Sequence, residues 1–147
     1  MIKKTISYTD YNGKLRQEDF YFNYSRAEII EMQAKHNGGL EKHLKDIANS
    51  ENGGEIIATV KDFILSAYGK KSDDGKRFFK SPEISKEFEE SEAYSELLTE
   101  FVMDLMDGNG EKVAEFANGL VSSSGIANIN ALPKVGSETE DAAASTT

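Results

Sequence analysis

The stretch that decides the fold is residues 2–24, which read IKKTISYTDYNGKLRQEDFYFNY. It carries four of the six tyrosines and two of the eight phenylalanines of the chain, and aromatic residues are enriched in β-strands. At its middle, the dipeptide Asn12-Gly13 is the strongest short-range signal for a β-hairpin. The stretch therefore predicts two antiparallel strands joined by a tight turn.

The register of this hairpin decides which side chains share a face. A two-residue loop would pair positions whose numbers sum to 25, which places Ile2 and Phe22 on opposite faces of the sheet. A three-residue loop of residues 11–13, with Asp10 opening a type I turn and Gly13 at positive φ, pairs positions that sum to 24. The longer loop keeps the apolar face intact, so we predict it.

The predicted strands cover residues 2–9 and 14–24, and every large even-numbered apolar side chain lies on one face. A two-stranded ribbon is only marginally stable in water. We therefore expect this face to pack on helices or on another subunit.

Capping signals and apolar periodicity predict helices after the hairpin. Ser25, followed three residues later by a glutamate, forms a capping box, so a helix should begin at Arg26 and end by the Asn-Gly-Gly of residues 37–39. A second helix from Leu40 should end at the Asn-Gly-Gly of residues 52–54.

The third predicted helix is the most apolar one. Residues 56–68 follow the helical spacing closely and Gly69 should close the helix, which we expect at the centre of the core. Residues 70–80, KKSDDGKRFFK, are too charged for a typical strand and contain Asp-Gly. They predict a loop.

A fourth helix is predicted from Ser81 as N-cap and Pro82 as first helical residue. Its apolar pattern allows a break near Ser91 and ends at the Asp-Gly-Asn-Gly of residues 107–110. Residues 113–121 form the last amphipathic segment. The predicted fold is therefore α+β and mostly α, with an N-terminal hairpin packed on a bundle of about five helices.

We expect one domain over residues 1–122 and a flexible tail over residues 123–147. The tail has no aromatic residue and only three isoleucine or leucine residues, a composition that favours disorder. It carries one lysine and three acids, so it accounts for −2 of the formal charge of −9 and leaves −7 on the domain. The excess acid therefore belongs to the folded part.

Composition excludes several classes of protein. No apolar run approaches the roughly 20 residues of a membrane span, and the acidic balance disfavours binding to nucleic acid or to anionic membranes. The start of the chain leads into alternating polar sequence rather than an apolar segment, so no signal peptide is expected. The chain has no cysteine, which excludes disulfides, cysteine-ligated metals and thiol catalysis.

No catalytic, cofactor-binding or metal-binding pattern emerges. His36 and His43 flank a Gly-Gly break without an HExxH pattern. The acidic loop from Asp107 lacks the glycine and the distal glutamate of an EF-hand. Six glutamates crowd residues 87–100, and such a run is more often a solvated helix face than a metal or glycosidase site. We therefore predict no enzymatic activity, no cofactor and no metal.

Two apolar stripes are candidate surfaces for a partner or for oligomer formation. One belongs to the hairpin and the other to the last two helices, and from the sequence each could equally be core. The nine candidate residues are Tyr8, Phe20, Phe22, Tyr24, Phe101, Leu105, Val113, Phe116 and Leu120.

Several segments resemble, in the same order along the chain, a family of small tail assembly chaperones of siphophages that infect Gram-positive bacteria. The resemblance covers roughly residues 5–121. The segments that carry it are DFYFN (19–23), AEIIE (27–31), GGL (38–40), YGKKSDDGKRFFKS (68–81), EAYSEL (92–97) and VAEFANGL (113–120). The tail of residues 123–147 is longer than is usual for this family.

This resemblance implies a non-catalytic role in virion morphogenesis. Such proteins bind the tape measure protein, keep it soluble while tail tube subunits are recruited in the host cytoplasm, and are not retained in the mature virion. In many of these phages the gene also yields a longer, frameshifted product.

A tape measure protein exposes apolar helical stripes, and repeated apolar grooves would cover them. Self-association supplies such repeats, and its weak contacts add up through avidity. We therefore expect a homo-oligomer. The alternative is an acidic regulatory protein or nucleic-acid mimic that binds a basic partner. A metal-dependent enzyme built on the glutamates of residues 87–100 comes third.

Overall fold

A computed structural model describes residues 1–35, 52–107 and 110–123. These parts form five helices and four strands. In chain order the elements are β1 (Ile2–Thr9), β2 (Leu15–Phe22), α1 (Arg26–Lys35), α2 (Gly53–Ala67), β3 (Tyr68–Lys71), β4 (Phe78–Phe79), α3 (Pro82–Glu89), α4 (Glu92–Asp107) and α5 (Glu111–Ser123). The predicted α+β class, mostly α with an N-terminal hairpin, is confirmed.

The hairpin has the predicted register and loop. Ile2 lies opposite Phe22 in an antiparallel pairing. Gly13 has φ 79° and its N–H donates to the carbonyl of Asp10 over 2.9 Å, while the N–H of Asp10 donates to the carbonyl of Lys14 over 2.8 Å. The Asp10 carboxylate also accepts two backbone N–H groups of the turn. The three-residue loop is therefore confirmed.

The sheet has four antiparallel strands in the order β1-β2-β3-β4. The prediction of a loop over residues 70–80 is therefore wrong at both ends, since β3 and β4 form a second, short hairpin. Its local sequence is charged, but the end of β2 offers backbone partners, and Tyr21 pairs with Gly69. The predicted turn survives within it, because Gly75 has φ 73° and donates to the carbonyl of Ser72.

The end of the most apolar helix also differs from the prediction. α2 ends at Ala67, and Tyr68 and Gly69 belong to β3 instead of closing the helix. Gly53 and Gly54, expected to end the preceding helix, form the first turn of α2. A glycine-rich segment therefore predicts that a helix boundary is near, but it does not show whether the glycines belong to the element before the boundary or to the one after it.

The predicted helix starts at Ser25 and Ser81 and the predicted break near Ser91 are confirmed. Ser25 and Glu28 form the capping box, each side chain accepting the backbone N–H of the other residue. The Ser81 hydroxyl accepts the N–H of Ile84, and α3 and α4 are separated at Glu90 and Ser91. The helix predicted from Leu40, both histidines and residues 124–147 lie outside the described residues.

The core lies between one face of the sheet and the helices. α4 and α5 pack on β1, and α3 packs on β3. Phe22 is fully buried and its ring makes edge contacts with Tyr68, Phe88 and Phe116 at centroid distances of 5.4 to 5.8 Å. α2 contributes five buried residues to this core.

Candidate partner-binding surfaces

Five of the nine candidate surface residues lie in the core of the subunit. The even-numbered face of the hairpin is covered by helices, and the stripe of the last two helices faces the same interior. Each of these five side chains is at most 5% exposed. They are Phe22, Tyr24, Phe101, Phe116 and Leu120.

The other four candidates are half-buried at the margin of the core. Tyr8 and Phe20 contact each other on the hairpin, with ring centroids 6.3 Å apart, and the Tyr8 hydroxyl donates to Glu18. Leu105 and Val113 pack against the core from α4 and α5. That any of the nine residues contacts a partner stays a prediction. The most exposed apolar side chains of the described residues are other ones.

A groove of ≈ 360 Å³ opens between the start of β1, α4 and α5. Its apolar lining comes from Ile2, Phe101 and Phe116. Lys4 and Glu100 form an ion pair of 3.3 Å on one side, and the Lys4 ammonium lies 5.6 Å from the centroid of the Phe101 ring. Four of the seven lining residues are charged, and Phe101 and Phe116 are at most 5% exposed, so the groove presents little apolar surface.

The α5 side of the groove carries Lys112 and Glu115, which are both exposed. Among the described residues, neither side chain has an ion-pair partner. Gly119 keeps α5 close to β1, because a Cβ there would lie 2.9 Å from the Cδ1 atom of Ile2.

Two exposed methionines, Met103 and Met106, lie one turn apart on α4, and we call them the methionine face. They are 52% and 58% exposed. Met side chains are flexible and polarizable, which suits binding to varied apolar partners. The sequence reasoning did not single them out as surface. Met103 falls off the apolar stripe of the helix, whereas Met106 continues the helical spacing of Leu98 and Val102, which pack against the core.

The most exposed large apolar side chain that the structure describes is Leu15, at 85%. It begins β2 beside the hairpin loop, where Tyr11 is 77% exposed. Glu92, at the start of α4, raises the pKa of the Tyr11 hydroxyl through a hydrogen bond. The sequence reasoning also missed Leu15. Its odd number could have revealed it, because odd-numbered residues lie on the hairpin face opposite the apolar one.

Three of the six glutamates of residues 87–100 pair with lysines from other elements. Glu87 lies 2.9 Å from Lys70 and Glu89 lies 2.7 Å from Lys61. The hydrogen bond from Lys61 lowers the pKa of the Glu89 carboxyl. Within residues 1–35, 52–107 and 110–123, no three potential ligands gather in a metal-binding arrangement. In the same ranges no helix is long and apolar enough to cross a membrane.

Comparisons with known proteins identify the family. A family model described as phage tail assembly chaperone matches residues 1–145. Searches of curated proteins and of solved structures gave no significant match. The match spans nearly the whole chain, so the protein belongs to the phage tail assembly chaperone family.

Proposed function

We propose that this chaperone binds the tape measure protein of its phage, keeps it soluble and helps to recruit tail tube subunits. This work takes place in the host cytoplasm, and the chaperone is not retained in the mature virion. The observation that carries the proposal is the family match over residues 1–145. A non-enzymatic role agrees with that family.

The methionine face of α4 is the proposed contact for the client. A long helical client exposes apolar stripes that aggregate unless they are covered. Met103 and Met106 present two adaptable apolar side chains on a rigid helix, and an amphipathic helix is a usual occupant of such a surface. The formal charge of −9 keeps the resulting complexes apart in solution.

Co-expression with the cognate tape measure protein tests the proposal. The wild-type chain should raise the soluble fraction of the client, and the double variant Met103→Glu with Met106→Glu should lose this effect, because two carboxylates replace the apolar contact. The control is Ala114→Glu with Asn118→Glu, which adds the same charge at exposed positions of α5.

Two results would contradict parts of the proposal. If the client is equally insoluble with and without the wild-type chain, the chaperone does not act on the tape measure protein. If the methionine variant and the control solubilise the client equally well, the contact lies on another surface.

The nucleic-acid mimic draws less support from the structure. Such a protein needs unpaired acids spaced along one exposed face. Here Glu28, Glu87, Glu89 and Glu100 each form an ion pair with a lysine. The ion pairs lower the density of free negative charge on the helices.

A further inference from the structure

We infer that residues 126–134 bind the methionine face of their own molecule and leave it when a client binds. We call these residues the tail segment. Its contact with the methionine face concerns this chain alone. Displacement by a client rests on the function proposed above, and it has a test of its own.

The tail segment has the sequence pattern of a small amphipathic helix. Ile126, Ile129 and Leu132 recur every three residues, which places them within a sector of about 120° on one side of a helix. Pro133 would end such a helix after about two turns, and helices this short are not stable by themselves in water. The tail segment therefore needs an apolar surface to pack against.

The chain enters the tail segment beside α4, because α4 and α5 are antiparallel neighbours. The rings of Phe101 and Phe116 lie 5.0 Å apart, and the Asp104 carboxylate accepts the N–H of Val113 over 3.1 Å. The residue numbers of both pairs sum to 217. Ser123, at the end of α5, therefore lies level with the first turn of α4.

The tail segment has the right length to reach the methionine face. Along the axis of α4, Met103 lies about 14 Å and Met106 about 18 Å beyond the level of Ser123, at about 1.5 Å per residue. Three extended residues after Ser123 span about 10 Å, and each helical residue adds about 1.5 Å. Ile129 and Leu132 then come level with the two methionines, at about 14 and 19 Å.

Charge complementarity favours the same placement. Lys134 is the single cation of residues 123–147 and follows Leu132 by two positions. Asp107 follows Met106, is exposed and has no ion-pair partner among the residues that the structure describes. When Leu132 lies against Met106, the Lys134 ammonium comes within reach of the Asp107 carboxylate.

A weak contact is sufficient because the tail segment is tethered. Exposed ion pairs are individually weak, but a short linker raises the effective concentration of a segment to on the order of 1 mM. Covering the methionine face also removes exposed apolar surface from water. A client with longer apolar stripes competes for the same two methionines, so the contact is reversible.

Oxidation by hydrogen peroxide tests the contact without a client. Peroxide converts an accessible methionine to its sulfoxide, and mass spectrometry follows each of the four methionines of the chain. In the full-length variant Ile129→Glu with Leu132→Glu, Met103 and Met106 should be oxidised at least about twofold faster than in wild type, the factor for a contact formed half of the time. Met1, which is also exposed, is the internal reference and should keep its rate.

Matched variants separate the contact from a general effect of charge. Ala127→Glu with Ala131→Glu adds the same charge on the opposite side of the helix and should keep the wild-type rates. Lys134→Glu and Asp107→Lys should each speed oxidation, and both changes in one chain should restore protection, which misfolding cannot imitate. Glu115→Lys, at an exposed position of α5, should have no effect.

Dilution and co-expression test the other two parts of the inference. Protection should not change on dilution, because the tail segment belongs to the same molecule. In the co-expression assay, Ile129→Glu with Leu132→Glu should solubilise the tape measure protein at about half the chaperone level that the wild type needs, because its methionine face is already free.

Three results would count against the inference. Equal oxidation rates of Met103 and Met106 in the wild type and in the Ile129→Glu, Leu132→Glu variant overturn the contact. Protection that falls on dilution places the tail segment on another molecule and overturns the intramolecular contact. Protection that is lost in the variant without any gain in client solubilisation overturns the displacement by a client and leaves the contact standing.

Discussion

The ring of Phe78 lies directly against the backbone of Gly69, across the β3–β4 hairpin. A Cβ atom at Gly69 would lie 2.5 Å from the Cε2 atom of Phe78 and 2.6 Å from the carbonyl oxygen of Phe79. Real Cβ atoms do not approach other atoms so closely, so only glycine fits between β2 and β4 at this point. The close approach lets the short β4 strand complete the sheet.

Gly69→Ala should therefore destabilise the protein by about 1 to 3 kcal/mol, the usual range for overpacking. Urea unfolding measures this loss. Gly53→Ala is the matched control, because Gly53 begins α2 and an added Cβ there meets nothing within 4 Å. The control should be neutral or stabilising by up to about 1 kcal/mol. Equal stabilities of the two variants would rule out the close approach at Gly69.

Ser81→Ala should cost about 1 kcal/mol of unfolding free energy, the typical value for a lost N-cap. The Ser81 hydroxyl accepts the N–H of Ile84 over 3.1 Å, and alanine leaves that donor without its cap. Ser95→Ala, at an exposed position inside α4, should leave stability unchanged or slightly higher. Chemical denaturation measures the free energy of unfolding of both variants. An unchanged free energy of unfolding in Ser81→Ala would contradict the capping role.

Stability should fall as the pH rises above about 10, the ordinary pKa of tyrosine. Burial raises the pKa of the Tyr24 hydroxyl, so above pH 10 the unfolded chain loses a proton that the folded chain retains. The linkage relation then gives a negative slope of stability against pH. Burial also raises the pKa values of Tyr68 and Tyr94, which add to this slope.

Tyr24→Phe isolates the contribution of the most buried hydroxyl. At neutral pH it should cost about 1 kcal/mol, because the hydrogen bonds to the Phe63 carbonyl at 3.0 Å and to Ser66 at 2.6 Å are lost. Above pH 10 its stability should fall less steeply than that of the wild type. Ser66→Ala keeps the buried hydroxyl and should keep the steep slope. Identical slopes for all three proteins would contradict the prediction.

Lys80→Met should destabilise the protein by about 1 to 3 kcal/mol. The Lys80 ammonium donates to the Glu28 carboxylate and to the Ser66 carbonyl, both over 2.7 Å, and so joins the start of α1 to the end of α2. Methionine keeps the apolar stem and removes the donors. Lys76→Met, in the exposed loop, should stay within about 0.5 kcal/mol of wild type. Thermal or urea unfolding distinguishes the two.

The parts of the fold that depend on local sequence could be predicted. The hairpin register follows from alternation and from the turn residues, and the helix starts at Ser25 and Ser81 follow from capping side chains. The β3–β4 hairpin could not be predicted, because β3 is fixed by backbone pairing with β2, about 50 residues earlier, and β4 in turn pairs with β3. The local strand propensity of a charged segment does not show which distant strand it will pair with.

The sequence by itself determined the class of fold, the hairpin register, most helix boundaries and the family to which the chain belongs. Only the tertiary structure decided which apolar residues are core and which are surface. Phe22 and Phe116 disappear into the interior, whereas Leu15 and Met103 remain in water. Periodicity shows that side chains share a face, but burial depends on which other element covers that face, and that is a property of the whole packed chain.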